Sequence, residues 1–148
     1  MRIRKPATGA ALAVVLASTA AIAGFRQPAP VDVDLDAQFA SGDMITAADA
    51  KNGDVFIGCG TRNFDDGFGG VFSTAFCQAQ DEQGDLITCF TDNQELVRTV
   101  REINDSSYVQ FRWEDDGMGG FTCTHTGFST QSFYLDKLTK GNQKGNER

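Results

Sequence analysis

The chain has 148 residues and a formal net charge of −7, with 13 Lys+Arg against 20 Asp+Glu. At 41% hydrophobic and 22% charged residues it is neither disordered throughout nor a polytopic membrane protein, and its length suits a single domain. So acidic a chain repels phosphates, which argues against nucleic acid as its main partner, and a single histidine excludes a multi-histidine metal centre.

Residues 1–23 read as a secretory signal peptide. Arg2, Arg4 and Lys5 give a positive start, and Ala7 to Ala23 is an alanine-rich apolar run centred on Leu12, Val14, Val15 and Leu16. Ala21-Ile22-Ala23 fits the small-x-small rule for cleavage before Gly24. The run is barely long enough for an anchor and is diluted by threonine, serine and glycine, so no stable membrane insertion is expected after cleavage. Removal of Arg2, Arg4 and Lys5 leaves ten basic against twenty acidic residues. The expected product is an acidic domain, secreted or periplasmic.

Residues 24–52 read as a leader arm or linker. Val31-Asp32-Val33-Asp34-Leu35-Asp36 alternates with period two, as an edge strand would. Three like charges on one face repel, which tips the reading toward a solvated linker. Thr46–Lys51 before Asn52-Gly53 suggests one helical turn with a left-handed stop.

Residues 53–136 carry the domain. Strands are predicted over Asp54–Gly60, Val71–Gln80 and Asp85–Thr91, joined by turns rich in Asp and Gly. A helix follows, with Asp92 as N-cap, Glu95 completing a capping box, and Leu96, Val97, Val100 and Ile103 at helical spacing up to a terminator at Asn104. Strands over Ser107–Trp113 and Phe121–Thr126 complete the pattern. The order β-β-β-α-β-β places the chain in the α+β class: an antiparallel sheet with one helix packed across it. Residues 137–148 are polar and basic, without apolar periodicity, and are expected to be disordered.

Export gives the four cysteines their meaning. Cys59, Cys77, Cys89 and Cys123 are even in number and face an oxidising compartment, so two disulfides are expected. Their spacing lacks the paired C-x-x-C of a zinc site. Opposed residues of an antiparallel hairpin have a constant sum. A first hairpin centred on Phe68 sets Cys59 opposite Cys77, and a second centred on Gln83 sets Cys77 opposite Cys89. Strands lie about 4.8 Å apart, so Cys59 and Cys89 are out of reach of each other. Two pairings remain: Cys59–Cys77 with Cys89–Cys123, which is favoured, or Cys77–Cys89 with Cys59–Cys123. The same register pairs Phe64 with Phe72 and Phe76 with Phe90. It puts Phe56, Phe72, Phe76, Leu86 and Phe90 on one face, and Val55, Ile57, Val71, Ala75 and Ile87 on the cysteine face. Both faces are apolar enough to need cover, and one helix covers one face.

Asp65-Asp66-Gly67-Phe68-Gly69-Gly70 recurs as Asp115-Asp116-Gly117-Met118-Gly119-Gly120. Tight hairpin turns need such glycines. The functional alternative is calcium, for which Asp65, Asp66, Asp115 and Asp116 would supply oxygens, but EF-hand spacing is absent and plain turns are preferred. His125, on the last strand with the parity of Phe121 and Cys123, is the one imidazole available to a hydrolase, and no serine sits in a nucleophile elbow. Phe68 and Met118 at the two tips, with Arg112, are the candidate binding residues. Trp113 has the parity of Val109 and Phe111 and is expected in the core.

The stretch Cys89-Phe90-Thr91-Asp92, the helix, Ser106 to Trp113 and Cys123 resembles small exported, cysteine-stapled bacterial proteins of uncharacterised function. The resemblance covers roughly a quarter to a third of the chain and carries no catalytic motif, so it implies export and a stapled fold but no activity. The leading expectation is a secreted binding module without catalytic activity or cofactor, whose partner is a protein or other extracellular ligand. The alternatives are a small secreted hydrolase using His125 with nearby carboxylates, and a calcium-dependent surface or matrix protein.

Overall fold

Alternating apolar residues build most of the molecule. The computed structural model describes residues 27–135. The signal-peptide reading of residues 1–23 and the tail at 137–148 lie outside the described residues. Seven strands form one sheet: β1 Asp32–Asp34, β2 Phe39–Asp43, β3 Phe56–Asp65, β4 Val71–Gln80, β5 Leu86–Thr91, β6 Tyr108–Asp115 and β7 Phe121–Ser129. Two helices, α1 Met44–Ala48 and α2 Gln94–Arg101, and a 3-10 turn at Ser132–Tyr134 complete the described elements.

The spatial order is β1-β2-β6-β7-β5-β4-β3. The β3-β4-β5 meander is antiparallel throughout. After β5 the chain crosses the sheet in α2, and the β6-β7 hairpin then docks with β7 parallel to β5. The sheet is therefore larger than the expected β-β-β-α-β-β pattern, and its order differs. The two extra strands come from the segment read as a linker. Period-two alternation outweighs aspartate repulsion there because Val31 and Val33 are buried, while Asp32 and Asp34 face water. Asp34 also accepts the Ala37 N–H in the turn to β2, where Gln38 has φ 52°.

Local signals were displaced by a residue or two at both helices. α1 starts at Met44 because the buried Asp43 carboxylate accepts from Thr46 N–H and Thr46 Oγ1, and also from Ala29 N–H. Neither Asn52 nor Gly53 adopts the expected left-handed stop. At α2 the cap is Asn93, not Asp92: its Oδ1 accepts from Glu95 N–H, and Glu95 pairs forward with Arg98 at 2.9 Å instead of closing a capping box. Asn104 is not left-handed, and the helix ends at Glu102 in ordinary helical geometry.

Among the described residues the core lies on one side of the sheet. Ile57, Ala75, Cys77, Ala79, Ile87 and Cys89 face Val97 and Val100 of α2, and Val109, Phe111 and Trp113 extend the layer along β6. Small residues on β4 let the helix approach closely. Arg101 fixes its far end by donating to Asn63 Oδ1 and Ser73 Oγ. Val71, expected on this covered face, is exposed because it lies at the hairpin end, beside the tip. The Cys59–Cys77 and Cys89–Cys123 disulfides cross β3-β4 and β5-β7, with Cα separations of 4.0 and 5.1 Å. Cys59 is opposite Cys77, and Cys77 opposite Cys89, in the register expected from the hairpin sums. The sheet curls until β1 touches β4 and β2 touches β3.

Candidate functional site

With helices on one face, strand alternation decides what the other face presents. β3 contributes Phe56, Gly58, Gly60, Arg62 and Phe64, β4 contributes Phe72, Thr74, Phe76 and Gln78, and β5 contributes Leu86, Thr88 and Phe90. No helix of the described residues lies over them. Phe64, Phe72, Leu86 and Phe90 are 46%, 52%, 56% and 59% exposed. The cross-strand rings meet in two pairs: Phe64 with Phe72 at 5.1 Å, stacked, and Phe76 with Phe90 at 6.3 Å, tilted. The Arg62 guanidinium lies 4.7 Å above the Phe76 ring. This three-strand sector contains no carboxylate between its hairpin ends.

β6 and β7 continue the face with polar groups. Arg112 stacks over Phe39 at 4.8 Å and donates to the Ala37 carbonyl at 3.3 Å. Trp113 pairs with Cys123 but Arg112 pairs with His125, so Thr124 is the extra residue of a bulge. The bulge turns His125 onto the open face beside Arg112. The expectation that it shares the face of Cys123 is corrected by that one added residue. Gln110 Nε2 lies 3.5 Å from His125 Nε2.

The two Asp-Gly loops have the same geometry. Asp65 Oδ1 accepts from Gly67 N–H, and Asp66 Oδ1 from Phe68 and Gly70 N–H; Asp115 and Asp116 do the same for Gly117, Met118 and Gly120. Gly67, Gly69, Gly117 and Gly119 all have positive φ. Hydrogen bonds from Phe68 and Gly70 hold the Asp66 carboxyl below its usual range, and those from Gly120 and Met118 do so for Asp116. The carboxylates are thus engaged by their own turns. Since β7 runs antiparallel to β4, the two tips leave opposite ends of the sheet. Phe68 and Met118 are 97% and 89% exposed there, and the structure does not bring them together with each other. Among the described residues no group of three or more His, Cys, Asp or Glu is placed to hold a metal ion.

An open groove of about 500 Å³ lies elsewhere, between the N-terminal segment, α1 and the β4-β5 turn, with Pro28, Pro30, Thr46, Lys51, Val55 and Glu82 in its wall. His125 and the tip residues are not part of it. No helix of the described residues is long and apolar enough to cross a membrane. Comparison with protein-family models, curated proteins and solved structures found no match.

The aromatic sector was visible in the sequence as a second apolar face needing cover, but its members were not assigned to a site. Turn tips drew attention because glycine exposes their residues. The stronger signal was the phenylalanine alternation on three adjoining strands served by a single helix.

Proposed function

We propose that the protein is an exported, disulfide-stapled interaction module without catalytic activity, working through the uncovered aromatic face of its sheet. The observation that carries this reading is the half-exposure of Phe64, Phe72, Leu86 and Phe90 on the same face of the β3-β4-β5 meander, with the Arg62–Thr74 and Gly58–Gln78–Thr88 rows between them. At about 200 Å² for a fully exposed large side chain, these four leave on the order of 400 Å² of apolar surface in water, an extent that often marks a binding site. The two disulfides fit an oxidising compartment. They also staple β3 to β4 and β5 to β7, which helps to preorganise the rings those strands carry. Arg112 and the Phe39 ring beneath it extend the surface, while Phe68 and Met118 serve as separate contacts at its two ends.

The test is a comparative pull-down from the extracellular or periplasmic fraction, using wild type and a Phe72→Gln/Phe90→Gln variant as baits of matched melting temperature. Wild type should capture a partner, untagged copies of itself included, that the variant does not. Capture indifferent to the two changes, or no capture, would refute the reading.

A further inference from the structure

Asn52-Gly53 is the one asparagine-glycine step in the chain, and it lies in the turn between α1 and β3 with both residues exposed. A Cβ built on Gly53 would meet nothing within 4 Å, and the Gly53 N–H has no hydrogen-bond partner among the described residues. Asn52 Oδ1 accepts the Asp54 N–H at 3.1 Å, and the Asn52 backbone carbonyl accepts the Val55 N–H at 3.2 Å. The first of these bonds folds the side-chain amide back over the turn. It also draws electron density from Cγ and stands where it can stabilise negative charge on Oδ1 when a nucleophile adds to that carbon. The Gly53 amide nitrogen is the nucleophile that the chain itself supplies, since its attack on Cγ closes a succinimide ring.

The comparable residues are protected. Asn63 is fixed in β3, its Oδ1 accepts from Ser73 Oγ and Arg101, and Phe64 follows it. Asn93 caps α2 through Glu95 N–H, and Gln94 follows it. Asn104 donates its N–H to Ser107 Oγ and accepts from Ser106 N–H, and Asp105 follows it. In each case the next residue has a side chain that crowds the approach, which glycine lacks. The two tips do place glycine after an acidic residue, at Asp66-Gly67 and Asp116-Gly117. Backbone N–H groups keep those carboxyls ionised, and a carboxylate resists an attacking nitrogen that a neutral amide accepts.

We infer that Asn52-Gly53 is a self-modifying site whose only co-reactant is water. Base takes the Gly53 amide proton, the nitrogen bonds to Asn52 Cγ, and the Cγ–Nδ2 bond breaks, with Nδ2 leaving as ammonia after solvent returns the proton. Water then opens the succinimide at Cγ, giving aspartate, or at the former backbone carbonyl, giving isoaspartate. Nothing is oxidised or reduced. Either product puts a carboxylate next in the chain to Lys51, which lines the open groove together with Val55, Pro28 and Pro30. Aspartate keeps the turn, since its Oδ1 still accepts from Asp54 N–H. Isoaspartate carries the backbone through Cβ and Cγ, so the carbonyl that held Val55 N–H becomes a free carboxylate and the entry into β3 loosens. The site is independent of the aromatic face.

Ageing the folded protein in heavy-oxygen water at mildly alkaline pH, followed by peptide mapping and mass spectrometry, tests this. Asn52 is expected to convert before Asn63, Asn93 and Asn104, to both products, each carrying a single heavy oxygen, at a rate that rises with pH. Gly53→Ala fits the open space and a backbone that is not left-handed, so it should keep the melting temperature and slow the conversion many-fold. Hydrogen exchange should show the Val55 amide losing protection in the isoaspartate form and keeping it in the aspartate form. Asn52 left intact, or converting no faster in wild type than in Gly53→Ala, overturns the inference. Conversion confined to urea also overturns it, because the site would then belong to the unfolded chain. Equal Val55 protection in the two forms overturns the assigned effect on β3.

Discussion

The Val33 N–H donates to the Asp81 carboxylate at 3.3 Å, joining residues 48 apart and linking edge strand β1 to the β4-β5 turn. Asp81 is 3% exposed and also accepts from Gln83 and Asp85 N–H. One carboxylate thus shapes the turn and holds the curl of the sheet. A buried acceptor of three backbone donors is costly to remove, because each donor loses its partner away from water.

Asp81→Ala is therefore expected to destabilise the protein by about 1.5–3 kcal/mol, the range for hydrogen bonds to a charged group. Urea unfolding gives the magnitude. Hydrogen exchange supplies the specific signature: the Val33 amide should lose protection ahead of amides in the centre of β4. Unchanged Val33 protection would show that the curl is held by apolar packing alone.

The disulfides are expected to act on the sheet, since each joins neighbouring strands. Peptide mapping should link Cys59 to Cys77 and Cys89 to Cys123, the pairs seen in the structure. Replacing Cys59 and Cys77 together by Ser should cost about 3 kcal/mol on the chain-entropy account. A peptide linking Cys59 to Cys89 would contradict the register, because β4 lies between them.

What was legible in the sequence follows the range of the interactions. The β3-β4-β5 register could be read from Cys59, Cys77, Cys89 and the phenylalanine pairs because hairpins are local and their sums are fixed by the turns. The place of β7 beside β5 was legible only through the favoured Cys89–Cys123 pairing, because no local turn fixes the parallel register of two strands so far apart in the chain. β1 was missed because its aspartates argue for solvent, while the burial of Val31 and Val33 comes from distant parts of the chain. His125 was placed on the wrong face because a bulge at Thr124 leaves no mark that period-two counting can detect. The tips were read correctly as turns by their glycines, but their separation is a property of the whole sheet.

Acidification should loosen the two tips together. Asp66 and Asp116 are held below the ordinary value of 3.8 by backbone hydrogen bonds. A carboxyl depressed in the folded state contributes stability that is fully present above its unfolded pKa and is lost as pH falls through the folded one. The tips should therefore keep their geometry at neutral pH and lose it below about pH 4. NMR titration should give midpoints below 3.8 for both carboxyls, with the Gly70 and Gly120 amides shifting at the same pH. A midpoint at the ordinary value for either would mean that its loop does not hold these bonds in solution.

Phe68 and Trp113 set the clearest contrast between surface and core. Phe68 stands 97% exposed at a turn built by glycines and the Asp65 and Asp66 carboxylates, none of which needs its ring. Trp113 is 3% exposed, packs against Phe111 at a centroid distance of 5.9 Å, and sits opposite Cys123. Phe68→Ala should change stability by less than about 0.5 kcal/mol, as surface changes do, and Met118→Ala should behave alike at the other tip. Trp113→Ala removes a large ring from a packed layer bounded by a disulfide, which limits collapse around the void, and should cost about 3–5 kcal/mol. Urea melts of the three variants decide the matter. If Phe68→Ala unfolds as readily as Trp113→Ala, the tip is packed in solution, and the exposed geometry of the β3-β4 turn is wrong.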